Sequence, residues 1–95
     1  MSYRLLVKFK VVNSQVDNFA AMMQQAKSRI AEADGCRSVE LLRSVEDPAV
    51  FVLSEVWESE AAHEDYAVKM RESGAMDKMA TMLEQPPVAE FYEIQ

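Results

Sequence analysis

Four side chains within a dozen residues have the types and spacing for proton chemistry on an aromatic molecule: Glu55, Trp57, His63 and Tyr66. His63 and Tyr66 stand three apart, the spacing that puts two side chains on one face of a helix. Glu55 and Trp57 stand two apart, which on a strand puts both on the face shared by Phe51 and Leu53. A neutral imidazole is the common base near neutral pH and can accept a phenolic proton. A tyrosine one turn further along can hydrogen-bond a substrate carbonyl, and an indole stacked on a flat ring adds ~1 kcal/mol beyond its burial. Glu55 shares its face with three large apolar residues, and burial raises a carboxyl pKa, which would make it a second base. Each residue has a plainer reading as well. His63 falls in a first helical turn with no orienting partner visible, Tyr66 equally fills a gap between helix and sheet, and Trp57 is expected in any core. For Glu55 the plainer expectation is an ion pair with Arg37 or Arg43 across a hairpin, because buried charges are usually compensated.

The element carrying Glu55 and Trp57 is the most informative in the chain. Val50, Val52 and Val56 alternate with Phe51, Leu53 and Trp57, so the strand is apolar on both faces and calls for cover on both. One cover is the chain's own helices, and a chain of 95 residues can hardly supply the other, which points to a second subunit. The strand runs directly into a helix, with Ser59 placed to cap it and Glu58 and Glu60 near its positive end.

Upstream, Tyr3, Leu5, Val7, Phe9 and Val11 alternate with charged residues as a half-buried strand. Asn13 or Ser14 is expected to cap a helix whose buried stripe is Val16, Phe19, Met23, Ala26, Ile30 and Ala33, ending at a left-handed Gly35. A second strand is expected over Arg37 to Ser44, and Glu46-Asp47-Pro48 turns it into the third. The later helical region carries His63, Tyr66, Ala67 and Met70 at helical spacing, breaks at Ser73-Gly74 and resumes with Met76, Met79, Ala80 and Leu83. Pro86-Pro87 stops it, and Val88 to Ile94 alternates as a last strand. The order β-α-β-β-α-β predicts one α+β domain over residues 1–95, a ferredoxin-like four-stranded antiparallel sheet with helices on one face.

Composition removes several classes of function. A net charge of −6 argues against a nucleic-acid backbone or an anionic membrane as partner. Cys36 is the single cysteine and His63 the single histidine, so no internal disulfide, thiolate cluster or dedicated metal site is expected. No run approaches the ~20 apolar residues of a membrane span. The N-terminal residues lack the pattern of a signal peptide, so a cytoplasmic location is expected. Seven methionines are many for this length. Thioethers adapt to irregular shapes, so Met22, Met23, Met70, Met76, Met79 and Met82 suit the wall of a pocket for flat apolar ligands, Met70 and Met79 above all, although ordinary helix core uses the same positions.

Gly35-Cys36, the stretch from Phe51 to Ala61 with its Glu-x-Trp-x-Ser pattern, and Met82 to Val88 resemble the antibiotic biosynthesis monooxygenase family, and nearly the whole element order matches. The resemblance implies a dimeric α/β barrel, in which two copies pair through the sheet faces opposite their helices. It also implies activities ranging from cofactor-free oxygenation of anthrones and hydroquinones to haem degradation and isomerisation. Trp57 matches the Trp that lines the pocket in the polyketide oxygenases. An Asn upstream of it in those enzymes is Leu53 here, a helix Tyr six residues after it is His63, and their Arg further along has no counterpart between Gly74 and Lys78. The haem-degrading branch uses an Asn, a Trp and a proximal His where this chain has Val7, Tyr66 and Met76.

The resulting expectation is an oxygenase without cofactor that acts on a hydroquinone, anthrone or related phenolic, with His63, Tyr66 and Glu55 catalytic. Trp57, Phe51, Leu53, Met70 and Met79 would line the substrate site. Two readings stand beside it. In one, a non-catalytic binding or structural dimer has its pocket filled by side chains. In the other, an isomerase uses His63 and Glu55 as an acid–base pair.

Overall fold

The computed structural model describes residues 2–95, and Met1 lies outside them. The chain runs β1 (Tyr3–Lys10), a short 3-10 turn (Asn13–Gln15), α1 (Val16–Ala31), β2 (Cys36–Arg43), β3 (Val50–Trp57), α2 (Glu60–Ser73), α3 (Ala75–Ala80) and β4 (Val88–Glu93). The strands form one antiparallel sheet in the order β2-β3-β1-β4. β1 and β3, the most apolar strands, are its centre. The sheet does not close on itself, since β2 and β4 are its edges.

Register fixes what each face carries. Tyr3, Leu5, Val7 and Phe9 of β1 lie opposite Trp57, Glu55, Leu53 and Phe51 of β3. These positions share one face, and Leu5, Phe9, Phe51, Leu53, Glu55 and Trp57 are all buried. From α1 come Phe19, Met23 and Ile30, buried at the expected helical spacing. Phe19 stands between Phe9 and Phe51, with ring centres 5.3 and 5.2 Å away. This aromatic cluster closes one end of the layer, and burying each such ring contributes roughly 1.5–3 kcal/mol.

Two expectations about α1 are corrected. Neither Asn13 nor Ser14 caps it. Both fall in the 3-10 turn, Gln15 takes the N-cap position, and no side chain bonds the free N–H groups. At the other end α1 stops at Ala31 and Glu32 is its C-cap, still in right-handed geometry. Gly35 is left-handed as expected, at φ +86°, but it serves the turn into β2, which begins at Cys36 and ends at Arg43. Its tight neighbour is α2. A Cβ on Gly35 would lie 2.6 Å from Ala62 Cβ. Gly74 is the left-handed C-cap of α2, at φ +80°, with nothing near its own Cβ position.

These two glycines separate backbone strain from steric conflict. Gly74→Ala meets only the positive φ and should cost about 1 kcal/mol. Gly35→Ala meets the same backbone penalty and also pushes α2 off the sheet, so a loss at the upper end of roughly 1–3 kcal/mol is expected. Urea unfolding followed by far-UV circular dichroism checks the order. Equal losses would mean that Ala62 moves away freely.

The hairpin between β2 and β3 follows its sequence signal. Asp47 accepts from the backbone N–H of Ala49 and pairs with Lys10, while Ser44 Oγ accepts from Asp47 N–H. Ser59 Oγ accepts from Ala62 N–H at 3.1 Å, which starts α2 at the expected place. The opposite sheet face is mixed. Ser54 is buried beneath Arg4, whose guanidinium donates to Ser54 Oγ at 2.8 Å. Val52 and Val56 are half-buried, while Leu42, Val88 and Tyr92 are exposed beside them. Among the described residues no helix is long and apolar enough to cross a membrane.

Candidate functional site

A cavity of about 330 Å³ lies between the helices and the middle of the sheet. Its floor is Val7, Leu53 and Ala89, which the register places side by side on β1, β3 and β4. Its walls are apolar residues of α1, α2 and α3, including Met22, Met23, Met70, Met76 and Met79. The space exists because small side chains stand where larger ones would fill it: Ala26, Ala67, Ala75 and Ala89. These alanines are site residues that sequence reasoning passed over, whereas Met22, Met23 and Met76 are among the methionines expected to suit a pocket wall. An alanine at a core position carries no chemical signal until its neighbours across the layer are known.

Polar groups are few, and Trp57 organises three of them. Its indole Nε1 donates to Glu55 Oε1 at 2.8 Å. Its ring meets His63 edge-on, with centres 5.3 Å apart, and Tyr66 at 5.8 Å. His63 is held from its other side by Phe91, again edge-on at 5.2 Å. Glu55, His63 and Tyr66 all line the cavity.

Glu55 has no arginine partner, which corrects the expected ion pair. The register explains why. Glu55 lies opposite Val39 on β2 and Leu5 on β1. Arg43 sits at the far end of the hairpin, where it donates to Pro48 O and covers the Phe51 ring. Glu55 is only 4 % exposed, and its one hydrogen bond among the described residues comes from Trp57. Among the described residues no buried side-chain N or O atom is left unpartnered, so the second carboxyl oxygen has access to the cavity. Burial pushes this carboxyl above its ordinary 4.5, against the smaller opposing effect of the Trp57 bond. Burial likewise holds His63 below 6.5 and raises the Tyr66 phenol. At neutral pH the imidazole is therefore neutral and free to accept a proton. Among the described residues it has aromatic contacts but no hydrogen-bond partner.

Glu55 gives a stability test. Its folded-state pKa lies above the unfolded value, so its stabilising contribution is complete below pH 4.5 and is lost as pH rises through the folded value. Glu55→Gln retains an acceptor for the indole and has no proton to lose. Its stability relative to the parent should rise as pH increases above 4.5 and then level off. His63 acts in the opposite sense below pH 6.5 in both proteins and cancels from the difference. Chemical denaturation of the pair at several pH values reads this directly, and a flat difference would mean that Glu55 titrates alike in the folded and unfolded chains.

Of the eight side chains singled out from sequence, six line this cavity: Glu55, His63, Tyr66, Leu53, Met70 and Met79. Phe51 and Trp57 stand behind the wall instead, both fully packed, Phe51 under Phe19 and Trp57 behind Glu55, His63 and Tyr66. Arg29, in the last turn of α1, is a charged lining residue that drew no notice in the sequence.

An antiparallel sheet layered on one face by helices, with an apolar cavity between the layers, places this chain among ferredoxin-like α+β proteins. The family model of the antibiotic biosynthesis monooxygenases matches residues 2–68, and the chain belongs to that family. No curated protein matches the sequence. Solved structures share the fold at low identity. A conserved protein of Methanosarcina mazei superposes with a TM-score of 0.90 at 15% identity, covering 100% of this chain and 94% of its own. A Mycobacterium tuberculosis protein gives 0.88 at 17%, covering 100% and 96%. A Streptomyces coelicolor monooxygenase, solved with nanaomycin D bound, gives 0.82 at 21%, covering 99% and 88%.

Proposed function

We propose that this chain is a cofactor-independent monooxygenase that oxidises a hydroquinone, anthrone or related phenolic with O2 in the helix–sheet cavity. The observation that carries the reading is that His63 and a buried Glu55 face one unfilled apolar space. A structural dimer with a filled gap would have no use for either group there. The Streptomyces coelicolor monooxygenase, which was solved with nanaomycin D bound, adds support from the same fold.

An electron-rich phenolate can itself reduce oxygen, so the protein has only to deprotonate it, keep it dry and hold it in place. His63 takes the phenolic proton. The anion passes one electron to O2, and superoxide joins the ring radical at carbon. Glu55 protonates the new peroxide, the ring C–H proton returns to Glu55, and the O–O bond breaks. The proton on His63 leaves with the departing hydroxide as water. One oxygen atom ends in the product and one in water, and both residues are restored. Tyr66 hydrogen-bonds the substrate, and Trp57 holds all three groups in place.

The functional unit in this proposal is a homodimer joined through the sheet face opposite the helices. Val52, Val56 and Leu42 on that face then gain the cover that β3 lacks in one subunit. Static light scattering that returned a monomer at micromolar concentration would remove this part. The chemistry is tested with an oxygen electrode on chelator-treated protein against hydroquinones and anthrones. Uptake above the autoxidation rate is expected for at least one. Uptake at the autoxidation rate for all of them, despite saturable binding, would favour a binding protein.

A further inference from the structure

Arg29 is the one cation lining the cavity among the described residues. It also lines a second depression of about 360 Å³ on the outer surface, where α1, the Gly35 turn and α2 meet. Tyr66 is the only other side chain common to both spaces, so these two residues stand at the boundary between cavity and solvent. Both side chains line both spaces, so the guanidinium and the phenol border the same opening. Neither has a hydrogen bond or ion pair among the described residues, although Glu32, Asp34, Glu58 and Asp65 line the same outer depression. None of these carboxylates is within ion-pair distance of the guanidinium. Its position suits the negative end of the α1 dipole, but that requires only the charge and leaves the planar donor fork unused. A guanidinium fork and a phenolic O–H that border one opening are donors for an anionic acceptor at the entrance of an apolar chamber.

We infer that Arg29 and Tyr66 hold an anionic substituent of the substrate at the mouth of the cavity, which makes the preferred ligand an aromatic carboxylate with its ring on the Val7–Leu53 floor. This rests on the oxygenation reading for the use made of the ring, but not for binding. The outer acids sharpen the choice. They repel an anion lying in the outer depression, so the carboxylate is kept at the boundary and the ring is directed inward.

The test is equilibrium binding without oxygen, followed by the fluorescence of Trp57, the only tryptophan, which packs against three cavity-lining side chains. The probes are 1-hydroxy-2-naphthoate and its carboxamide, which differ in charge but hardly in shape. The carboxylate should bind about fivefold more tightly, a modest ratio because Arg29 is exposed and partly screened. Arg29→Gln should bring the ratio near one, Arg29→Lys should keep part of it, and Lys69→Gln in the outer depression should leave it unchanged. A ratio near one in the parent, an unaltered ratio in Arg29→Gln, or no binding of either probe would overturn the inference. None of these results bears on oxygen uptake from neutral hydroquinones, so the two readings fail separately.

Discussion

Trp57→Ala should lower the stability of the folded chain by about 3–5 kcal/mol, the largest single-residue loss expected in this protein. The indole is fully buried, and it is the common neighbour of Glu55, His63 and Tyr66. Truncation leaves a cavity larger than neighbouring side chains can fill, and it also strips the Glu55 carboxyl of its only hydrogen bond. Trp57→Phe separates these effects. It retains most of the ring volume and removes the N–H donor, so a smaller loss of about 1–3 kcal/mol is expected from the unpaired carboxyl. The Phe variant should also push Glu55 further above its ordinary range, because the one interaction lowering its pKa is gone. Guanidinium unfolding followed by far-UV circular dichroism measures both variants. If Trp57→Phe were as stable as the parent, the indole–carboxyl bond would be of no consequence and Glu55 would be held by packing alone.

His63→Ala should reduce kcat for oxygen uptake by about 10²–10⁴, the range for removing a positioned general base. Its stability cost is small by comparison, since the ring is half-buried and contributes two edge-on contacts, each worth roughly 0.5–1.5 kcal/mol. The pH profile separates a base from a wall. Burial depresses the imidazole pKa, so the acid limb of kcat/KM should have its midpoint below 6.5, and that limb should be absent from the residual activity of the variant. Steady-state uptake across pH 5–8, reading kcat and KM separately, checks this. A variant with unchanged kcat and raised KM would make His63 a contact residue and leave Glu55 as the base.

Much of this architecture was legible in the sequence because it depends on period. Alternation along residues 50–57 defined β3 and its inward face, and the helical spacing of Phe19, Met23 and Ile30 defined the inner face of α1. Both follow from local geometry. What the sequence concealed depends on register. Whether Glu55 meets an arginine is decided by which β2 residue lies opposite, and that residue is Val39. The alanines that leave the cavity open are separated by up to 63 positions in the chain, between Ala26 and Ala89, and only the assembled layers bring them together. Arg29 escaped notice for the opposite reason. It sits among exposed positions of α1, beside the apolar stripe, and its proximity to Tyr66 is a product of how α1 and α2 lie over the sheet. The helix caps divide along the same line. Ser59 acts as its type predicts, whereas Asn13 and Ser14 are drawn into a 3-10 turn next to Val11, which is anchored by a backbone bond to Ala49.

The most direct measurement is turnover of a hydroquinone by the chelator-treated protein under ¹⁸O2, with the product analysed by mass spectrometry beside a His63→Ala control. One labelled oxygen per product molecule is expected, with the second recovered in water, at a rate that exceeds autoxidation and falls in the control. Product formed without label, or at the same rate with and without His63, would contradict the proposed oxygenation.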